Sequence, residues 1–328
     1  MTLTNLILKS GRKIYRLLAH PNFVKHNCEY DRTHANQLIY DLLISEKPCM
    51  ISRLGSTETS IILNYLSIID KSSFWKKYIR YITTDVGLPI WDDMCFKYCE
   101  RYSGIFPAQK DLLVRFSKQY LTDMKEMDLI GSFQYGEKYL PLPSSLQYVH
   151  LECLYPFFVD NPWTKALEGK KVLVIHPFEN TIQKQYVNRK LLFNNKDILP
   201  DFELKIVRAV QTIGGADKRF KDWFDALFYM EKQVEKIDFD ICLLGCGAYG
   251  LPLAAYIKRM GKKAVHIGGG LQLMFGIKGK RWDDNSYHWK DLPQLDTNYS
   301  QLYNDYWVRA NEGEKPKTAE MVEGACYW

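Results

Sequence analysis

Three glycine-broken corners hold the residues best suited to chemistry. The first is Arg53-Leu54-Gly55-Ser56-Thr57-Glu58. Pro48 to Leu54 reads as a strand and Thr59 to Ile69 as a helix, so Arg53 stands at a strand's C-terminal end and Glu58 in the next helix's first turn. An arginine there pairs bidentately with a phosphate. A glutamate there binds a divalent cation, hydrogen-bonds a sugar hydroxyl or serves as a base. The same residues also suit a structural role, because an acid in a first turn complements the helix dipole and Arg53 is a natural ion-pair partner for it.

The second corner is Gly245-Cys246-Gly247-Ala248-Tyr249-Gly250, and the third is Gly268-Gly269-Gly270 after His266. Phe239 to Leu244 and Lys263 to Ile267 are short apolar runs that read as buried strands, joined by a helix from Leu251 to Met260 that Gly261 caps. The unit is therefore βαβ, with open turns where ligands bind in parallel sheets. Glycines let the backbone approach a ligand closely, and the helix start offers free N–H groups to a phosphate. Gly245, Gly247 and Gly250 match the spacing of a dinucleotide fingerprint. The acid expected about 20 residues on, at the next strand's end, is replaced by His266 and glycines. A redox dinucleotide, another phosphate-bearing ligand with Tyr249 among its contacts, and tight strand–helix packing alone all remain open.

His176, at the end of the strand Lys170 to Ile175, is either a base or phosphate donor or a buried imidazole bonded to backbone. Lys280 and Arg281, past Gly276, suit a diphosphate and Trp282 a stacked base, the alternative being a solvated charge run.

The elements that would position these groups read as α/β: Rossmann-like, a mostly parallel sheet or sheets with helices on both faces, divided into two lobes. The divisions are an amphipathic helix in 1–27, an N-terminal α/β lobe over 28–160 and a Rossmann-like lobe with a packed tail over 161–328. The spacing predicts helices over His34 to Ser45, Asp111 to Met124, Thr181 to Leu192 and Phe220 to Val234. It predicts strands at Tyr78 to Thr83, Asp128 to Ser132 and Glu203 to Val207, and an irregular aromatic connector over 134–163 that contains Glu152. In residues 2–20, Leu3, Ile7, Ile14 and Leu18 share one face while Lys9, Arg12, Lys13 and Arg16 share the other, with His20-Pro21 as the stop. Such a helix lies on anionic lipid or packs on the body with its basic face in solvent. The aromatic-rich tail from Asp283 onward is expected to pack back over the cleft.

The chain has 328 residues, 46% of them hydrophobic, enough for one large or two ordinary cores. Its net charge of +6 comes from dispersed Lys and Arg, which argues against a nucleic-acid footprint and leaves anionic substrates or membrane surfaces. Eight Cys without a CxxC pair read as reduced, packed thiols of a cytoplasmic protein. No signal peptide or membrane-spanning run is evident.

Ser52-Arg53-Leu54-Gly55-Ser56-Thr57-Glu58 resembles the opening motif of GT-D-type glycosyltransferases. The half from Lys170 to Trp282, with the VEGACYW ending, resembles proteins encoded in bacterial capsule and O-antigen clusters. GT-D enzymes carry an Asp-x-Glu metal motif after that glycine; here Ser56 takes the Asp position and Glu58 remains. The resemblance implies a transferase that uses a UDP- or GDP-sugar, with Mn²⁺ or Mg²⁺ at Glu58 and a glycan or lipid-linked acceptor at the inner face of the membrane. It further implies Arg53, Gly55, the glycine corners, Lys280 and Arg281 around the nucleotide, and His266 or His176 as a general base. A nucleotide-dependent reductase or methyltransferase, and a non-catalytic component of a polysaccharide assembly complex, are the alternatives.

Overall fold

The structure, a computed structural model, describes residues 3–19, 27–215, 217, 219–283, 295, 297–322 and 324–328. The expected helix stop at His20-Pro21 lies outside them.

The chain opens with α1 (Leu3–Ala19) and α2 (Arg32–Ile44), then β1 (Met50–Ser52). Four helices follow: α3 (Ser56–Ile69), α4 (Phe74–Thr83), α5 (Asp93–Ser103) and α6 (Lys110–Asp123). Next come β2 (Leu129–Ser132), β3 (Gln147–His150) and β4 (Lys171–His176). Two helices, α7 (Glu179–Val187) and α8 (Arg189–Leu192), lead to β5 (Glu203–Arg208). Next α9 (Trp223–Val234) leads into the final βαβ unit, β6 (Ile241–Leu244), α10 (Gly250–Arg259) and β7 (Lys263–His266), with the short α11 (Leu271–Met274) behind it. A two-stranded ribbon pairs β8 (Ile277–Lys278) with β9 (Val308–Arg309).

Seven strands form one sheet in the order β3-β2-β1-β7-β6-β4-β5, and every pairing in it is parallel. Parallel strands need crossovers, and crossovers cover both faces with helices. Side-chain alternation along the strands divides the core accordingly. Ile130, Leu173, Cys242 and Ala264 face a layer with Ile61, Phe116, Trp223 and Leu253. Leu129, Val172, Leu243 and Val265 face one with Ile39, Ile182 and Phe275. The fold is Rossmann-like α/β. Strands from both halves meet in this sheet, where β1 lies against β7 with Ile51 opposite Val265.

Three local expectations are corrected. Tyr78 to Thr83 is helical, within α4, not a strand. Ile79, Arg80 and Thr83 point outward, and the inward side chains, Tyr78, Tyr81 and Ile82, pack on Leu8 and Val86. The aromatic connector contains a strand, β3, which closes the sheet beside β2. The third correction concerns α1, which packs on the body with its basic face inward. Lys9 pairs with Asp92 at 2.6 Å and Arg16 with Asp85 at 2.7 Å. Arg12 donates to the carbonyls of Tyr81 (2.6 Å), Thr84 (3.1 Å) and Val86 (2.6 Å). Those carbonyls lie at and just beyond the C-terminal end of α4, where a cation also meets the helix dipole. Gly11 permits the close crossing, since a Cβ there would sit 2.3 Å from the Tyr78 hydroxyl.

All eight cysteines are free thiols, and only Cys28 among them is not buried. No helix among the described residues is long and apolar enough to cross a membrane.

Candidate functional site

The sheet's C-terminal edge opens into a cavity of ≈ 280 Å³. Its walls come from the loops after six strands: Arg53 after β1, Glu152 after β3, Phe178 after β4, Thr212 after β5, Gly247 after β6 and Gly268 after β7. The connections that leave the neighbouring strands β4 and β6 run in opposite directions, β4 out to β5 and β6 back to β7, which is the topological setting where α/β sheets hold ligands.

Arg53 is the side chain that joins the first corner to the third. It lies across Gly268, so a Cβ on that glycine would be 3.1 Å from Arg53 Cδ and 3.3 Å from Nη1. Gly268 also has φ +76°, a conformation L side chains rarely adopt. Arg53 Nη2 donates to the Leu54 carbonyl at 3.0 Å, and the guanidinium stands 5.0 Å from the Phe133 ring centre. Its Nε is buried without a hydrogen-bond partner among the described residues.

Glu58 sits in the first turn of α3 and bends back over Gly55, where a Cβ would meet its Oε2 at 1.8 Å. Glycine is therefore required at 55 for this side chain to fold over the helix start. Burial raises the Glu58 carboxyl above its ordinary range; its own backbone amide, the Arg53 charge and the Ser103 hydroxyl oppose that shift.

The structure brings Arg53, Gly55, Glu58, His176, Gly245, Gly247, Tyr249, Gly268, Gly269, Gly270 and Arg281 to this one cavity. Gly247 has φ +57° and open space where a Cβ would be, which suits close backbone approach by a ligand. Tyr249 contributes to the wall from a core position: its ring stacks on Trp223 at 5.0 Å and its hydroxyl bonds Thr212 Oγ1 at 2.8 Å. Trp282 lines the cavity as well, nearly buried.

Three expected residues are not part of the wall. His266 lies beneath the start of α10, its Nδ1 bonded to Ser52 Oγ at 3.1 Å. A Cβ on Gly250 would fall 2.2 Å from its Nε2, so Gly250 is there to seat the helix on the imidazole. Burial, with Arg53 adding to it, pushes His266 down to about 3, so the ring is neutral and out of reach of a substrate. Lys280 turns away, donating to the Gly324 carbonyl at 3.2 Å.

His176 does reach the cavity, in a form unlike a general base. Its Nδ1 accepts from the Phe178 amide at 3.0 Å, which leaves the proton of the neutral ring on Nε2. Burial drives its pKa to about 3. The ring is built as a neutral donor.

Several wall residues carried no usable sequence signal. Tyr327 covers Gly269, where a Cβ would sit 2.3 Å from its Cε1. Arg281 donates to its hydroxyl at 2.9 Å and lies 4.6 Å from its ring centre. Gln272 Nε2 holds the Tyr327 carbonyl at 3.1 Å. The end of the tail thus packs over the cleft, as the aromatic content predicts. Glu152 finds partners from distant segments: Thr297 Oγ1 at 2.9 Å and Arg32 Nη2 at 3.6 Å.

No family model and no curated protein matches the chain. Two solved structures are similar to it at low identity. One is described as the selenomethionine-substituted structure of domain of unknown function 1792. It is 11% identical with a TM-score of 0.32, covering 93% of this chain and 98% of that one. The other is described as showing that the highly conserved domain of unknown function 1792 has a distinct glycosyltransferase fold; it is 11% identical with a TM-score of 0.33, covering 92% of this chain and 99% of that one.

Proposed function

We propose that the protein is a sugar-nucleotide-dependent glycosyltransferase of bacterial surface-polysaccharide assembly. The observation that carries this reading is the placement of Arg53: a guanidinium with a buried, unsatisfied Nε, laid over the Gly268 turn and close enough to Glu58 for its charge to act there. A buried donor without a partner costs about 1–3 kcal/mol, so the guanidinium gains when it turns to meet a phosphate oxygen. The glycine turns at Gly247 and Gly268 supply the backbone, and Arg281 a second cation, for the diphosphate of a UDP- or GDP-sugar.

In the reaction, the bond between the anomeric carbon and the diphosphate oxygen breaks. A bond to the acceptor hydroxyl oxygen forms, the hydroxyl proton passes to a base, and the nucleoside diphosphate leaves. Arg53 and Arg281 stabilise the charge that develops on the leaving diphosphate. Glu58, buried and with a raised proton affinity, is placed to hydrogen-bond the donor sugar or take the acceptor proton. His176 donates from Nε2. The residues at hand fit Mn²⁺ or Mg²⁺ poorly. Ser56 offers a hydroxyl where a second carboxylate would stand, and the Glu58 carboxyl is turned onto its own amide.

Thermal-shift measurements with UDP- and GDP-sugars, with and without Mn²⁺, test the reading. Stabilisation by at least one donor is expected. No stabilisation by any of them would remove its basis.

A further inference from the structure

With its cationic side chains bound inward, α1 turns its apolar face away from the body. Leu6, Ile7, Ile14 and Leu17 are exposed, Leu17 at 62%. The neighbouring α4 continues the same surface with Trp75, 69% exposed, and Ile79. The two helices lie side by side, joined where Tyr78 donates to the Leu8 carbonyl at 3.3 Å. The result is a two-helix apolar face on a protein whose core lies elsewhere. Contiguous exposed apolar surface of this kind marks an interaction site.

The charge around the face identifies what covers it. Neither α1 nor α4 contains an acidic residue. The exposed charges on the two helices are Lys13, Lys76 and Arg80. The acids at the rim are already in ion pairs, Asp70 with Arg80 at 2.9 Å and Asp85 with Arg16 at 2.7 Å. A second copy of the chain would set these lysines against each other. An anionic lipid headgroup layer complements them, and Trp75 beside Phe74 suits the boundary between headgroups and acyl chains.

We propose that α1 and α4 together form a membrane-docking face, in which Leu6, Ile7, Ile14, Leu17, Trp75 and Ile79 enter the headgroup–acyl boundary of an anionic bilayer. Attachment is mainly hydrophobic, because three of the four α1 cations are committed to the protein and Arg80 is paired with Asp70, and Lys13 and Lys76 supplement it. The apolar side of α1 is the lipid-facing one, and α4 extends it. The proposal stands independently of the transferase reading.

Sedimentation of the full chain with phosphatidylcholine vesicles, with and without phosphatidylglycerol, tests the proposal. The protein is expected to sediment with the phosphatidylglycerol vesicles. Much of the binding should survive about 1 M salt, where the Debye length is only about 3 Å. The double variant Leu17→Glu/Trp75→Glu should partition about tenfold less or worse, with an unchanged circular dichroism melt because both side chains are exposed. Lys9→Gln, which cuts an inward pair, should bind vesicles normally. The proposal is overturned if the wild type stays in the supernatant with both vesicle types, or if the double variant binds as well as the wild type. It is equally overturned if the chain elutes as a dimer that the double variant breaks, since the face would then belong to a second copy.

Discussion

Arg53 crosses Gly268 so closely that a β-carbon on the glycine would lie 3.1 Å from the arginine's Cδ. The two residues come from the C-terminal ends of β1 and β7, neighbouring strands that lie more than half the chain apart in sequence. Their contact turns two separate glycine corners into one hollow, and the functional reading rests on it.

Gly268→Ala should be damaging on two counts. The left-handed backbone costs an alanine about 1–2 kcal/mol, and its methyl group would press on Arg53. The expected outcome is a lower melting temperature and a smaller sugar-nucleotide shift. Gly261→Ala has positive φ but no neighbour within 4 Å, so it should lower stability alone.

Glu58 has both a capping and a proposed chemical role, and two substitutions separate them. Glu58→Gln keeps a side chain able to fold over Gly55 and should melt within about 1 kcal/mol of the wild type while transferase turnover falls at least about a hundredfold. Gly55→Ala should lower stability and turnover together, because its methyl group occupies the carboxyl's place. Turnover by Glu58→Gln at the wild-type rate would reduce Glu58 to a helix cap.

Glu137 gives a pH prediction. It is fully buried, accepts from Ser132 Oγ at 2.5 Å, and burial raises its pKa to about 7. The folded protein therefore binds a proton that the unfolded chain releases near the ordinary glutamate value. The stability this proton supplies is fully present below about pH 4.3 and is lost as the pH rises to about 7, on the order of 3 kcal/mol in total. His150, His176 and His266, all lowered by burial, act in the opposite direction as the pH falls. The quantity to measure is thus the difference between wild type and Glu137→Gln in urea unfolding at pH 4.5 and pH 7. The variant should gain relative to the wild type at the higher pH.

Tyr327 packs over Gly269 and its hydroxyl accepts from Arg281. Tyr327→Phe removes the hydroxyl that Arg281 bonds while keeping the ring. Donor affinity should rise severalfold in calorimetry because that hydroxyl no longer competes with the diphosphate for Arg281. An unchanged affinity would mean that Arg281 does not meet the ligand.

The corners themselves were legible in the sequence because glycine after an apolar run has few other meanings, and the parallel α/β class follows from the alternation of strands and helices. What lay out of reach depends on distant partners. Nothing near Lys9 or Arg16 announces Asp92 or Asp85, 83 and 69 residues away, so the pattern of α1 gives two faces without saying which one packs. Tyr78, Ile79, Tyr81 and Ile82 favour strands by type, yet they lie in a helix whose Tyr78, Tyr81 and Ile82 pack on Leu8 and Val86. Gly250 fits a phosphate fingerprint letter by letter, and only the His266 ring beneath it shows that packing demands the glycine. Lys280 and Arg281 are adjacent and alike in charge, but a tight turn sends one to Gly324 and the other to Tyr327.

The most direct test is isothermal titration of UDP- and GDP-sugars into the wild-type protein and Arg53→Ala. Binding of at least one donor is expected, weakened about tenfold or more in the variant by the loss of charge-assisted hydrogen bonds to phosphate. Absence of binding to every donor, or equal affinity in the two proteins, would contradict the transferase reading.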